Sequence, residues 1–195
     1  MDERRHRHIL MEKEAVIRLR KASSDARCWE QFEFMPHALD ALRLLAAEDY
    51  AGIIISRQTW GNAGVGAPGE LDAITRRFLL EVALSGGYVT GVYYCRHKED
   101  DGCNCYAPGG GLIGRARAEH GFTLEETYYV GEKEFGLGAA MAAGCPIIRI
   151  QRDAFLLSEP GCKDQTRVVS SLYEAVEQIL ARERMRKSMY AAVLA

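Results

Sequence analysis

Short apolar segments alternate with amphipathic segments along almost the whole chain, and this alternation limits the possible folds more than any other feature. Residues 50–55 are apolar and rich in isoleucine, which is typical of a strand buried on both faces. Residues 70–84 place Leu71, Phe78 and Val82 on one stripe of a helix. Because strands and helices follow one another in this way, we predict an α/β fold with a parallel sheet and helices on both faces.

The same patterns place the remaining elements. We predict strands over residues 8–19, 50–55, 88–94, 127–130 and 146–150, and helices over residues 36–47, 70–84, 112–120, 136–143 and 171–186. Ligands bind beyond the carboxyl ends of the strands in such sheets. The segments expected to carry function are therefore residues 12–15, 56–60, 95–111 and 131–136.

Length and charge narrow the class of protein. A chain of 195 residues suits one domain with a sizeable core. We predict a single domain over 1–195, with a flexible N-terminus (1–8), a metal-binding loop (95–105) and a C-terminal tail (187–195). The net charge of −2 gives no reason to expect nucleic acid or a membrane as partner. We expect the partner to be another protein or a second copy of the chain, in a homo-oligomer.

The cellular location is predicted from two features that the sequence lacks. There is no apolar run of the roughly 18 residues that would suggest a membrane span. The charged start, MDERRHRH, is not followed by the apolar stretch of a signal peptide. We therefore predict a cytoplasmic location, where thiols stay reduced and closely spaced cysteines suggest a metal rather than disulfides.

Three cysteines and one histidine form the clearest metal-binding pattern in the chain. Cys95, His97, Cys103 and Cys105 read C-x-H-x5-C-x-C. Thiolate and imidazole are the ligands that Zn²⁺ prefers, and four of them complete a tetrahedron without a position for water. The spacing predicts a structural zinc site that stabilises the loop. The alternatives are free thiols, or a disulfide from Cys95 to Cys103 or Cys105.

The strand ends and the cysteine loop together resemble a known family. From about residue 9 to residue 150 the chain is similar to the histidinol-phosphate and D,D-heptose 1,7-bisphosphate phosphatases of the haloacid dehalogenase (HAD) superfamily. The resemblance is carried by residues 32–36 (FEFMP), 53–59 (IIISRQT), 91–97 (GVYYCRH) and 128–133 (YYVGEK). It implies a Rossmann-like, HAD-like fold with a zinc-stabilised loop and without a large cap domain.

The first two catalytic motifs of that family are altered. The resemblance matches the family's Asp-x-Asp-Gly-Thr to residues 12–16, which read Glu-Lys-Glu-Ala-Val, so Glu12 and Glu14 stand where the nucleophile and the proton shuttle would be. One extra methylene moves each carboxylate by about 1.5 Å, which is large for in-line attack. Ser56 keeps the phosphate-binding hydroxyl of the second motif, and Arg57 replaces the asparagine that follows it.

The third and fourth motifs are altered as well. The family's phosphate-neutralising lysine is missing from residues 106–109, which read Tyr-Ala-Pro-Gly. The Mg²⁺-binding Gly-Asp-x-x-x-Asp becomes Gly-Glu-Lys-Glu-Phe-Gly over residues 131–136, with Glu132 at the first aspartate and Gly136 at the second. Mg²⁺ demands a tight octahedral set of ligands. We therefore expect zinc as the metal of this chain and do not expect Mg²⁺.

Changes in all four motifs suggest a degenerate member of the family. The leading hypothesis is a catalytically inactive homologue, a pseudoenzyme that acts as a binding, regulatory or partner subunit and has no catalytic residues. Its vestigial site would consist of Glu12, Glu14, Ser56, Arg57 and Glu132. We expect the arginine to neutralise the three carboxylates in a compact cluster without metal.

Two alternatives remain open. An active phosphoric monoester hydrolase on a small phosphorylated sugar would use Glu12 as nucleophile or base and Glu14 as acid, with Ser56 and Arg57 binding the anion. A sugar-phosphate binding module would use Ser56 and Arg57 in the same way but perform no chemistry.

Overall fold

A six-stranded parallel sheet forms the centre of the molecule, as the alternating sequence pattern predicts. The computed structural model describes residues 6–20, 28–57, 68–95, 97, 101–105, 110–152 and 167–194. The strands are β1 (Arg7–Glu12), β4 (Tyr50–Arg57), β5 (Val89–Cys95), β6 (Tyr129–Gly131), β7 (Ile147–Ile150) and β8 (Arg167–Val169). Their order across the sheet is β5-β4-β1-β6-β7-β8, and every neighbouring pair is parallel.

Helices cover both faces of this sheet. They are α2 (Ala38–Ala47), α3 (Pro68–Leu84), α4 (Gly111–His120), α5 (Glu134–Ala143) and α6 (Leu172–Leu194). The central strand shows why two layers are needed, because Ile9, Leu10 and Met11 in succession are fully buried. Ile9 and Met11 belong to the core beneath α2, α3 and α6, whereas Leu10 belongs to the core beneath α4 and α5. The predicted α/β fold, with a parallel sheet between two layers of helices, is confirmed.

The direction in which the chain adds strands to the sheet reverses at β1. From β1 the chain moves outward through β4 to β5, and it then returns to the other side of β1 to add β6, β7 and β8. The direction of winding therefore reverses between β1 and β6. Ligands of open α/β sheets bind at such a reversal, outside the carboxyl ends of the strands. Glu12 ends β1 and Glu132 follows β6, so both lie at this point.

The structure divides the predicted first strand, residues 8–19, into three elements. β1 ends at Glu12, a single helical turn α1 (Lys13–Val16) follows, and β2 (Ile17–Leu19) pairs antiparallel with β3 (Phe32–Phe34). The sequence prediction missed this hairpin because three-residue strands are too short to show an alternating pattern. The hairpin packs on α3, since the rings of Phe34 and Phe78 stack with centroids 6.0 Å apart.

The ends of the chain carry more regular structure than the sequence suggests. Arg7 and His8, within the predicted flexible start, already belong to β1. Helix α6 continues to Leu194, through most of the segment 187–195 that the sequence analysis treats as a tail. In the part of the chain that the structure describes, no helix combines the length and the apolar character required to cross a bilayer.

Candidate active site and metal centre

Glu12 is the buried carboxylate at the centre of the site. Its side chain is 2% exposed, and its Oε2 accepts hydrogen bonds from the backbone N–H groups of Glu132 and Lys133 at 2.7 and 2.9 Å. The hydroxyl of Tyr129 donates to Oε1 at 3.2 Å. The two N–H groups immediately precede the first turn of α5, where a helix has free donors and a partial positive charge. One carboxylate thus connects β1 to β6 and to the start of α5.

The surroundings of Glu12 raise its affinity for a proton. Burial raises the pKa of the Glu12 carboxyl to about 7, and the negative charge of Glu14 acts in the same direction. The hydrogen bonds from the backbone and from Tyr129 oppose this rise. The Glu12 carboxyl therefore gains or loses its proton near neutral pH, whereas a surface glutamate is fully ionised there.

Two glycines make room for this carboxylate. A Cβ atom on Gly131 would lie 2.8 Å from Cδ of Glu12, and a Cβ atom on Gly136 would overlap both the Glu12 carboxylate and the Tyr129 hydroxyl. The longer side chain at position 12 fills the space that a side chain at position 136 would need. The glutamate in the first motif and the glycine in the fourth are therefore complementary in volume.

Arg152 supplies a positive charge beside the carboxylates. It follows β7, and its Nη1 donates to Oε2 of Glu132 while its Nη2 donates to the main-chain oxygen of Glu14 at 3.3 Å. The side chain of Glu14 pairs with Lys13 at 3.2 Å. Arg152 thus contacts Glu132 and the main chain of Glu14, two members of the predicted Glu/Arg cluster. The side chain of Arg57, the arginine predicted for that cluster, lies outside the described residues.

Arg152 could have been found from the sequence. It lies two residues beyond the predicted strand 146–150, at the carboxyl end of a strand in a parallel sheet. The end of this strand was not among the segments expected to carry function.

Ser56 lies on the strand next to Glu12. It is 1% exposed near the carboxyl end of β4, and its hydroxyl has no hydrogen-bond partner among the described residues. Glu12 is paired in register with Ile55, so Ser56 is one step farther along the neighbouring strand. A buried hydroxyl without a partner costs free energy, on the order of 1–3 kcal/mol, which a bound oxygen atom would offset.

The four residues of the cysteine loop converge as predicted. One ligand atom from each of Cys95, His97, Cys103 and Cys105 lies within 4.8 Å of every other. The sulfur atoms of Cys95 and Cys103 are 3.6 Å apart, and Nδ1 of His97 lies 3.8 Å from the Cys95 sulfur. A tetrahedral ion with metal–sulfur bonds of about 2.3 Å would place its sulfur ligands about 3.8 Å apart. The cluster can therefore hold a metal ion.

This geometry excludes the disulfide alternative for the thiols. A disulfide requires a sulfur–sulfur distance of about 2.05 Å, so Cys95 and Cys103 are not bonded. Cys95 ends β5 and is paired in register with Arg57 of β4. The Cys/His cluster therefore adjoins the strand that carries Ser56.

Comparison with curated proteins identifies phosphatases as relatives. The chain is 30% identical over 146 residues to the D-glycero-β-D-manno-heptose-1,7-bisphosphate 7-phosphatase of Pseudomonas putida, covering 73% of this chain and 81% of that protein. It is 26% identical over 176 residues to the enzyme of the same name from Bordetella bronchiseptica, covering 88% and 97%. No family model matches the chain.

Solved structures show the same relationship. The D,D-heptose 1,7-bisphosphate phosphatase of Bordetella bronchiseptica, solved with magnesium and phosphate, superposes with a TM-score of 0.79 at 25% identity, over 90% of this chain and 99% of that one. A putative HAD-like phosphatase from Mesorhizobium loti gives a TM-score of 0.69 at 14% identity, over 89% and 87%. The second similarity concerns the fold alone.

These relatives overturn the hypothesis of a catalytically inactive homologue. The proteins that the chain matches over most of their length are named as phosphatases, and none of them supports a lost activity. That hypothesis rested on the changes in the four motifs and did not include Arg152. With that residue included, a guanidinium accompanies Glu14 and Glu132 at the strand ends.

The packing around Glu12 predicts opposite effects for two glycines of α5. We expect Gly136→Ala to lower the free energy of unfolding by about 1–3 kcal/mol, because the new methyl group overlaps the Glu12 carboxylate. Gly138→Ala is the matched control, since nothing lies within 4 Å of a Cβ there, and we expect a rise of roughly 0.5–1 kcal/mol. Urea denaturation measures both. Equal effects would contradict this packing.

The raised pKa of Glu12 predicts a stability that depends on pH. Protonated Glu12 is favoured in the folded state, so its contribution is complete below about pH 4.5 and is lost as the pH rises through about 7. Relative to Glu12→Gln, we expect the wild-type free energy of unfolding to fall by up to roughly 3 kcal/mol over this range. The measurement is urea denaturation at a series of pH values. A difference between the two proteins that is constant or grows with pH would argue against a neutral Glu12.

Fold, site and relatives agree. The HAD-like sheet, the carboxylates at the ends of β1 and β6, and the Cys/His cluster after β5 occur in one chain. The similarity reaches 30% identity over most of a named relative. The chain belongs to the D,D-heptose 1,7-bisphosphate phosphatase family of the HAD superfamily.

Proposed function

We propose that this chain is an active phosphoric monoester hydrolase with a glutamate-based site, acting on a small phosphorylated sugar. The relatives named above act on a heptose bisphosphate, which supports a sugar phosphate as the substrate class. The observation that carries the proposal is Glu12, a buried carboxylate fixed by three hydrogen bonds at the reversal of the sheet.

Glu12 acts as the general base. A carboxylate whose pKa is about 7 is close to the optimum for accepting and returning a proton at neutral pH. The two oxygens of a carboxylate offer about four lone-pair positions, and three are used by the described donors, so one is left for water. Glu12 takes a proton from a water molecule whose oxygen then forms a bond to phosphorus.

Glu14 acts as the acid in the same step. As the bond between phosphorus and the sugar oxygen breaks, Glu14 passes to that oxygen the proton that Glu12 has taken from water, and the sugar leaves as a hydroxyl. Glu14 lies two residues beyond Glu12 in the turn α1, and its charge is close enough to act on the pKa of Glu12.

Ser56 contacts the phosphoryl group. Its buried hydroxyl has no partner among the described residues and can donate to a phosphate oxygen at the end of β4. Arg57, whose side chain lies outside the described residues, is the second anion contact that the sequence predicts.

Mg²⁺ does not fit the residues that the structure describes at this site. Both oxygens of Glu12 accept hydrogen bonds, Glu132 is paired with Arg152, and position 136 has no side chain. Mg²⁺ requires ligands in a near-octahedral set at 2.0–2.1 Å. The related Bordetella enzyme was solved with magnesium, but no step proposed for this chain passes through that ion.

The Cys/His cluster holds a structural Zn²⁺ in our proposal. Three thiolates and one imidazole are a typical zinc set, and four protein ligands leave no position for a reacting water. The ion would fix residues 95–105 against the end of β5.

Location, domain organisation and partners remain predictions from the sequence. We propose a cytoplasmic, single-domain protein that binds another protein or itself. Helix α6 carries Met185, Met189, Tyr190 and Val193 with large exposed fractions, which is compatible with such a contact.

The hydrolase proposal predicts phosphate release. We expect the wild type to hydrolyse D-glycero-D-manno-heptose 1,7-bisphosphate with a turnover of at least about 0.1 s⁻¹. Glu12→Gln removes the base and should lower the rate at least about 10²-fold. The control is Glu134→Gln, because that side chain is 78% exposed and pairs with Arg149. Failure of the wild type to release phosphate from this sugar, histidinol phosphate or p-nitrophenyl phosphate would refute the proposal.

The zinc proposal predicts a metal content and a loss on substitution. We expect elemental analysis to give one zinc per chain, and Cys103→Ser to lower both the zinc content and, by several kcal/mol, the free energy of unfolding. Cys28→Ser is the control, since Cys28 is exposed and outside the cluster. Retention of zinc by Cys103→Ser would show that this thiol is not a ligand.

A further inference from the structure

Arg152 connects the two segments that carry the carboxylates. It follows β7, which adjoins β6, and β6 adjoins β1. Its guanidinium donates to the carboxylate of Glu132 and, at 3.3 Å, to the main-chain oxygen of Glu14. One cationic group therefore donates hydrogen bonds to a carboxylate oxygen and to a carbonyl oxygen, which follow two different strands of the sheet.

These acceptors are of the kind that a hard metal ion binds. Carboxylate and main-chain carbonyl oxygens are the protein ligands of divalent cations such as Mg²⁺. Here the same two oxygens are occupied by hydrogen bonds from a guanidinium, which also brings a positive charge. The residues that fail to form a Mg²⁺ site thus form a well-defined site for an arginine.

Arg152 keeps donors for a ligand. A guanidinium has five N–H donors, and the described contacts use two of them, so about three remain. The side chain is 30% exposed, and a solute can therefore reach it. Its planar, forked set of donors can bond to two oxygens of a phosphate at once. A spherical ion and an ammonium group lack this planar geometry.

We propose that the Arg152 guanidinium replaces the divalent cation of this site and binds the phosphoryl group of the substrate directly. The inference rests on the proposed hydrolase function and deepens it. Phosphate binding and ester hydrolysis then require no Mg²⁺. Glu132 fixes the guanidinium from one side, and the carbonyl group of Glu14 fixes it from the other.

The test is calorimetric titration of inorganic phosphate into the full-length protein in magnesium-free buffer. We expect the wild type to bind phosphate, with an affinity that changes less than about twofold when millimolar Mg²⁺ is added. Arg152→Ala should weaken binding at least about tenfold, the loss expected for a charge-assisted contact. Arg152→Lys keeps the positive charge but loses the forked donors, and its phosphate affinity should lie between those of the wild type and Arg152→Ala.

Arg149→Ala is the matched control. It removes the same charge from β7, but Arg149 pairs with Glu134 at 2.6 Å and has no described contact with Glu132 or Glu14. We expect its phosphate affinity to stay within about twofold of the wild type. Should Arg152→Ala not fold, the magnesium response of the wild type and the affinity of Arg152→Lys decide the question.

The outcomes separate this inference from the hydrolase proposal. Phosphate binding that requires Mg²⁺, or that Arg152→Ala leaves unchanged, overturns the role of Arg152 even if the enzyme hydrolyses esters. Phosphate binding that depends on Arg152 without hydrolysis of any ester supports this role and overturns the hydrolase proposal. No phosphate binding in either buffer overturns both.

Discussion

The hydrogen bonds from the start of α5 to the Glu12 carboxylate are the contact on which the rest of the site depends. Two backbone N–H groups and one hydroxyl fix this side chain at the end of the central strand. Glu132 and Lys133 contribute through their main chain, so the contact sets the position of the turn between β6 and α5. The turn therefore places the Glu132 side chain within hydrogen-bonding distance of Arg152.

Charge balance at the strand ends follows from that placement. Glu12 is shifted towards its neutral form by burial, Glu14 pairs with Lys13, and Glu132 pairs with Arg152. The charge of each acidic group is thus neutralised in a different way, by protonation or by an ion pair, and none is left uncompensated in a site of low dielectric. A phosphoryl group entering the crevice would meet partly neutralised carboxylates and a guanidinium, instead of three bare negative charges.

The sequence predicted the sheet, its helices and the four-residue metal cluster, because each produces a local pattern. Residues 50–55 indicate a buried strand by composition, and the spacing from Cys95 to Cys105 predicts a convergent Cys/His cluster without knowledge of the fold. The contact between Arg152 and Glu132 has no such pattern, since it joins residues 20 apart that meet only through the order of the strands. Nor could the sequence show that Gly136 lies against Glu12, which requires the packing of α5 on β1.

The Glu12 side chain occupies the space that a side chain at position 136 would need, and this restricts the order in which the two residues can be substituted. A side chain at 136 is tolerated only after the Glu12 carboxylate has been withdrawn, because both need the same space. Shortening residue 12 first would leave a cavity beside Tyr129, whereas enlarging residue 136 first would force a steric overlap. A change between this arrangement and one with paired aspartates therefore has a preferred order of substitutions: residue 12 must be shortened before residue 136 is enlarged.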